Sequence, residues 1–369
     1  MRVLLLVACF LPVACSSSSS TSTNDAGPNS IDASVAGDGA SGTGPAADAN
    51  PGDQQAPSEG GGTEHTVTFG PLDVPPFTER TQCIVVHLGN ATPIHVGQIH
   101  NLLGTSSHHM IVYRVNDTTE QPAPFDCQPF ADTLNPTHGN PLMISQKKDD
   151  LLQLPSGVAF TLDANQMLRI EMHYINATAA TTTLVSSTTM VELPDAQFQF
   201  EGSFLFVGDT NIHIPAMAAY TLGPKYFHMP STYANSNFFA ITGHEHQWGK
   251  NVQVWTATGD SDPGTPVYQV PGWLWSEPNT ITFDPPFQVP PGGGLKFQCD
   301  WANGSANPVA FGESANDEMC FFWAYYYPSQ GAAVCFHQDT DGGGLDLCCP
   351  GSPQLCASLN QATSSAGDQ

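Results

Sequence analysis

Six side chains able to bind a soft metal sit in four short clusters: His108-His109, His173, His244-x-His246 and Met319. Three imidazoles fall in the first half of the chain, and two imidazoles with a thioether fall in the second. Sulfur beside imidazole favours copper, Cu(I) above all, over zinc or magnesium. The set predicts a two-site copper protein. Each cluster also has a plainer reading. Residues i and i+2 of a strand share a face, so His244 and His246 can reach one ion, yet such pairs are common at surfaces. His108 and His109 are adjacent and face opposite ways unless a bulge or strand end re-aims one ring; otherwise one is core and one is surface. Ser106-Ser107 before the pair tolerates such irregularity. Met319 follows the polar run Asn316-Asp317-Glu318, which suits a cleft edge, although a methionine is more often core filler.

Strands must position these groups. From about His65 onward, Val, Ile, Thr, Phe and Tyr runs alternate with Gly-, Pro- and Asn-rich breaks, and 31 Pro and 34 Gly punctuate the chain. No long 3.6-residue period stands out, so the pattern predicts an all-β chain of antiparallel β-sandwiches. Leu168, Ile170, Met172 and Tyr174 alternate with Arg169, Glu171 and His173, which puts His173 on the polar face of its strand. A Pro-containing stretch at 191–196 suits a link between two halves. The expected units are sandwiches at 65–192 and 193–350, followed by a flexible tail at 351–369. No internal sequence repeat is evident.

The chain carries nine Lys and Arg against 34 Asp and Glu, a formal charge of −25. Such a surface repels nucleic acid and anionic lipid headgroups. Met1-Arg2, an apolar run from Val3 to Ala14 and then Cys15 describe an export signal too short to span a bilayer. Cys15 before Ser16–Ser20 resembles a lipoprotein junction, with acylated Cys15 as the mature N-terminus; Pro12 departs from that pattern, and an ordinary cleavage site nearby is the alternative. The expected location is the bacterial periplasm or cell surface, with membrane contact through lipid alone. Residues 16–64 are Ser, Gly, Ala, Asp, Pro and Thr, a composition that predicts a disordered tether. Of ten Cys, Cys9 leaves with the signal and Cys15 takes lipid, so eight remain for disulfides. Asp339-x-Asp341-Gly342-x-x-x-Asp346 has some flavour of a calcium loop without its full spacing, and a solvated acidic turn is the plainer reading. Asn90, Asn116, Asn176 and Asn303 lie in glycosylation sequons. The other histidines, His337 among them, are unclustered and expected to be solvated or structural.

Ser-His-His-Met at 107–110, Leu-Arg-Ile-Glu-Met-His-Tyr at 168–174, His-Glu-His-Gln-Trp-Gly-Lys at 244–250, Asp-Glu-Met-Cys at 317–320 and Tyr-Tyr-Pro at 326–328 occur in one order. Taken together they resemble the copper type II, ascorbate-dependent monooxygenases, a family that includes the peptide-amidating and dopamine-hydroxylating enzymes. The resemblance covers roughly residues 80–330. It implies two jelly-roll-like sandwiches facing across a solvent-filled, copper-containing cleft. It also implies an electron-delivering copper on His108, His109 and His173, and a catalytic copper on His244, His246 and Met319. O2, a small organic substrate and a reductant such as ascorbate would be the reaction partners. Disulfides Cys83–Cys127 and Cys299–Cys320 are implied by position, with two local bridges left for Cys335, Cys348, Cys349 and Cys356. Thr242 stands where the peptide-amidating enzyme grips a carboxylate with Arg, and Phe321 and Trp323 replace its Asn and Tyr. Those three residues are the expected substrate pocket, suited to an apolar or aromatic molecule. The rival expectation is an exported copper buffer without turnover.

Overall fold

Alternation of apolar and polar residues along short runs yields strands, and nearly every strand pairs antiparallel with its neighbours. The computed structural model describes residues 62–130, 133, 136, 138–312, 314–340, 343–352 and 356–357. The export signal, Cys15, the tether before residue 62 and most of the tail lie outside these residues. Among the described residues no helix is long and apolar enough to cross a membrane.

The chain forms two β-sandwiches, so the all-β expectation holds. In the first, a five-stranded sheet sets Thr78–His87, Met167–Asn176 and Ser107–Val115 side by side. Its inner face (Ile84, Met110, Val112, Ile170, Met172) packs on Phe69, Val96, Ile99 and Phe160 of a six-stranded partner sheet. The short strand Phe200–Glu201 still pairs with Val158–Leu162 of that partner. Burying these side chains stabilises the sandwich by roughly 1.5–3 kcal/mol per large residue, before entropy is subtracted.

The second sandwich pairs a six-stranded sheet, centred on Asn237–His244, Phe321–Tyr327 and Ser203–Gly208, with a four-stranded one. The first of these sheets is buried on both faces. Leu205, Val207, Ile241, Phe322 and Ala324 face the four-stranded sheet, while Phe204, Phe206, Phe321, Trp323 and Tyr325 join the core of the first sandwich. That is why Phe321–Tyr327 reads as a continuous apolar run, aromatic but for Ala324, without the alternation of a half-exposed strand. Where the resemblance implied solvent between the sandwiches, this aromatic layer closes much of the gap. Tyr325 completes the seam: its hydroxyl accepts the Ile144 N–H at 3.4 Å.

The polar face holding Arg169, Glu171 and His173 is also covered. Glu171 is 1% and His173 6% exposed. Glu171 accepts the Phe130 N–H at 3.0 Å and the Tyr113 hydroxyl at 3.2 Å, so a loop closes over that face where the alternation alone predicted exposure.

Cys83–Cys127 and Cys299–Cys320 are bonded, as are Cys335–Cys348 and Cys349–Cys356. The first bridge anchors the loop that brings Phe130 over Glu171, and the second fixes the residue after Met319. Asn90, Asn176 and Asn303 are at most 3% exposed, and each side-chain nitrogen is committed to backbone carbonyls. Those three sequons are therefore structural locks, closed to a glycan in the folded chain.

Asp339 and Asp346 stand on the paired strands Ala333–Thr340 and Gly343–Cys349, and Asp341 and Gly342 lie outside the described residues. Between them His337, buried, bonds Asp346 at 2.8 Å. That hydrogen bond holds the His337 pKa above its ordinary 6.5, against burial. A raised histidine pKa stabilises the fold fully below about pH 6.5, and the contribution fades as pH rises through the folded-state value. The melting temperature should therefore fall over that alkaline window in the parent and stay flatter in His337→Gln. Equal slopes in both proteins would refute this.

Candidate metal centre

The first histidine cluster depends on a local irregularity. Ser107 pairs with Tyr174 and His109 with His173, leaving His108 as the extra residue of a bulge. Ser106 enters it at φ 67°, held by Thr182 through a 2.7 Å hydroxyl contact. The bulge turns the His108 ring to the side of its neighbour. As a result, ligand atoms of His108, His109 and His173 all lie within 4.8 Å of one another.

Their hydrogen bonds indicate which atoms are free. Glu79 lies 3.0 Å from His173 Nε2, and a carboxylate accepts, so Nε2 donates and Nδ1 keeps its lone pair. That Nδ1 faces His109 Nε2 at 3.2 Å. Both ring nitrogens of His108 and Nδ1 of His109 are buried without a hydrogen-bond partner. Burial, then repulsion from His173, pushes the His108 pKa down to about 3 and that of His109 well below 6.5. Glu79 is held below its usual range by the bond to His173. Neutral rings at His108 and His109, beside His173 oriented by a carboxylate, match the needs of a nitrogen-bound metal. Left without an ion, each orphaned nitrogen would cost about 1–3 kcal/mol.

The second cluster caps the strand Asn237–His244. Gly243 is required there: a Cβ would come within 2.6 Å of Val252 and 2.7 Å of Tyr268. The rings of His244 and His246 are 5.1 Å apart and nearly perpendicular. The Asp317 carbonyl, 3.2 Å from His246 Nδ1, assigns that nitrogen the proton and leaves Nε2 for a ligand. His244 Nδ1 faces the Gln146 amide oxygen at 3.1 Å, and its Nε2 is buried without a partner. Burial lowers both pKa values, that of His246 to about 4.

Met319 is 4% exposed and Glu318 is wholly buried, while Asn316 is exposed and Asp317 half-buried, so the run passes from solvent into the interior just before Met319. Glu318 receives four N–H groups: those of His246 (2.9 Å), Trp248 (2.7 Å) and Met319 (3.3 Å), and the Trp301 indole (2.9 Å). It thereby ties the His246 turn to the segment bearing Met319.

Thr242 and Trp323 are cross-strand partners, as are His244 and Phe321, so all four share the face toward the first sandwich. Trp323 lies 6.0 Å from the His244 ring. Phe321 is wedged among Phe206, Phe311 and Phe336, and Thr242 shares a 2.7 Å hydroxyl contact with Thr280. The structure thus gathers the expected pocket residues beside His244, packed rather than open.

Three contributors carried no signal in the sequence. Phe130 stands between the clusters, 5.4 Å from His109 and 6.3 Å from His244 by ring centre. Trp275, from the second sandwich, lies 5.1 Å from His108 of the first. Gln146 reaches the opposite way, to His244. Glu79 and Glu318, by contrast, are the kind of carboxylates one would seek behind metal-binding histidines.

Residues 218–342 match the family described as copper type II ascorbate-dependent monooxygenase, C-terminal domain. The matched segment contains His244, His246 and Met319 and lies beyond His108, His109 and His173. It supports a copper- and ascorbate-dependent monooxygenase family for this part of the chain. No curated protein matches. Among solved structures, a recombinant N-glycanase F (PNGase F) is 12% identical, covering 73% of this chain and 97% of its own, with a TM-score of 0.29. PNGase F, a glycosylasparaginase from Flavobacterium meningosepticum, is 12% identical, covering 74% and 92%, with a TM-score of 0.25. At such scores the likeness carries no argument about function.

Proposed function

We propose that the chain is an exported two-copper monooxygenase that hydroxylates a C–H bond of a small organic molecule, using O2 and an external reductant such as ascorbate. One observation carries the reading: the histidines gather as a trio in the first sandwich and a pair in the second, buried ring nitrogens of His108, His109 and His244 have no hydrogen-bond partner, and the second group lies inside the family-matched segment. His108, His109 and His173 would hold one copper; His244, His246 and Met319 would hold the other. Bound copper supplies one-electron redox chemistry at each site, so the pair stores the two electrons that hydroxylation by O2 requires from the reductant. Glu79 and the Asp317 carbonyl orient the rings. Met319, a soft ligand, favours Cu(I). Thr242, Phe321 and Trp323 set an apolar boundary beside His244 and exclude water from it. The four disulfides suit the oxidising compartment that export provides, and acylation of Cys15 would tether the chain to a membrane. The working domain layout is 65–192 and 193–350.

A second reading, copper buffering without turnover, draws on one observation: Thr242, Phe321 and Trp323 are each 2% exposed, leaving little open surface beside His244. Copper content and ascorbate-driven O2 uptake separate the two. Two coppers per chain, with O2 uptake that rises when a substrate is added, support the enzyme. Two coppers with no coupled uptake across a substrate screen leave a buffer; one copper sinks the enzyme, and none sinks both.

A further inference from the structure

Gln146 follows the strand Gly139–Ser145 of the first sandwich and is 5% exposed. Its carboxamide makes two contacts, both with the second sandwich. Nε2 donates to the Trp275 carbonyl at a long 3.4 Å, and Oε1 lies 3.1 Å from His244 Nδ1. A backbone carbonyl only accepts, so the Trp275 contact decides which end of the amide carries nitrogen. The amide oxygen left facing His244 also only accepts, so Nδ1 must carry the ring proton. A neutral imidazole protonated at Nδ1 has its lone pair on Nε2. Nε2 of His244 is buried and has no hydrogen-bond partner. His246 obtains the same tautomer from its own sandwich, through the Asp317 carbonyl. His244 obtains it from across the seam.

We propose that Gln146 is a positioning residue lent by the first sandwich to the metal site of the second, holding His244 as the Nδ1–H tautomer with Nε2 aimed as the ligand atom. The proposal rests on the copper reading above. It makes the second site dependent on apposition of the two sandwiches. The contact is returned, since the indole of Trp275, whose carbonyl anchors Gln146, covers the His108 ring.

Two measurements on the full chain test this, with Gln146→Leu and Gln146→Glu. The first correlates histidine ring nitrogens with ring protons by NMR in the metal-free protein, with His244 assigned through its loss in His244→Gln. The parent should show a protonated Nδ1 and a bare Nε2; Gln146→Leu should abolish that pattern. Gln146→Glu, which can still accept from Nδ1–H though it cannot donate to Trp275, should retain it. The second is Cu(I) competition against a chromogenic chelator. Removing an outer partner of a metal-binding histidine typically weakens binding about 10–100-fold, so Gln146→Leu should weaken one site by that much and Gln146→Glu should recover most of it. Unchanged tautomer and affinities in Gln146→Leu would overturn the proposal. If the parent bound no copper, the copper reading would fall, whereas the tautomer experiment would still decide whether Gln146 orients His244.

Discussion

On the two-copper reading, replacing His173 by alanine should remove one of two coppers and stop turnover, while the other copper should stay bound. His173 is the one ring of its trio fixed by a carboxylate, with Glu79 at Nε2 and the lone pair of Nδ1 turned toward His109. Its loss leaves two of the three clustered imidazoles, His108 and His109, and deprives His109 Nε2 of its 3.2 Å neighbour. Loss of an outer partner alone costs about 10–100-fold in metal affinity, so loss of the ligand itself should exceed about 100-fold. Copper content should fall from two to one, and ascorbate-dependent O2 uptake by at least about 100-fold. The retained copper should still show a sulfur neighbour in X-ray absorption, because the proposal assigns Met319 to the other site. Met319→Ala should give the converse, one copper with nitrogen and oxygen neighbours only. Glu79→Gln should fall between, since an amide can still accept from Nε2 through its oxygen but carries no charge. Retention of two tightly held coppers in His173→Ala would refute the assignment of this trio.

How far the sequence reached is best judged residue by residue. The alternation 168–174 placed His173 on the polar side of its strand, and of the two arrangements open to His108 and His109, a bulge or one core and one surface ring, the register slip supplies the bulge. The alternation could not reveal what covers the polar face, because the cover comes from Phe130, some forty residues away in the chain, and from the second sandwich. Gln146 and Trp275 were silent for the same reason: one amide and one indole carry no spacing pattern, and their roles exist only once two sandwiches meet. Phe321–Tyr327 carries six aromatic residues around Ala324, a pattern whose physical meaning, burial on both faces, requires the second layer. Adjacent Cys348 and Cys349 left two local pairings open until strand register put Cys348 opposite Cys335.

An internal likeness was also beyond the sequence. Thr78 pairs with Asn176 as Ala218 pairs with Asn303, and each Asn locks the turn leading into its partner strand. The register slip that frees His108 between Ser107 and His109 recurs between Gly249 and Asn251. The two sandwiches share this frame, yet only the first uses the bulge to present imidazoles. In the second, the histidines sit on the other sheet, so equivalent strands do not carry equivalent chemistry. Side chains diverged at positions whose backbone pairing is common to both.

Glu318→Ala should be the most destabilising single change at either site. Its carboxylate collects three backbone N–H groups and an indole N–H in a fully buried position. Burial drives its pKa up to about 7, against the pull of those donors, so the group is held at a cost that the bonds must offset. Truncation strands all four donors, each worth about 1–3 kcal/mol when left unpaired. Water entry and relaxation would recover part of this, and breaking a buried charged network by removing one partner typically costs about 3–5 kcal/mol. For sandwiches of this size that corresponds to a fall of roughly 6–20 °C in melting temperature. Glu318→Gln should cost less, since one oxygen remains to accept while the amide nitrogen confronts the other donors. The Cys299–Cys320 bridge still pins the chain one residue after Met319, so the fold should survive while the His246 turn and Met319 lose their common anchor. Copper at His244, His246 and Met319 should weaken and that at His108, His109 and His173 should hold, which separates a local anchor from global loosening. A metal-free Glu318→Ala chain melting within about 1 °C of the parent, a shift worth only a few tenths of a kcal/mol at this size, would show that the four bonds contribute almost nothing and that Met319 is placed by packing alone.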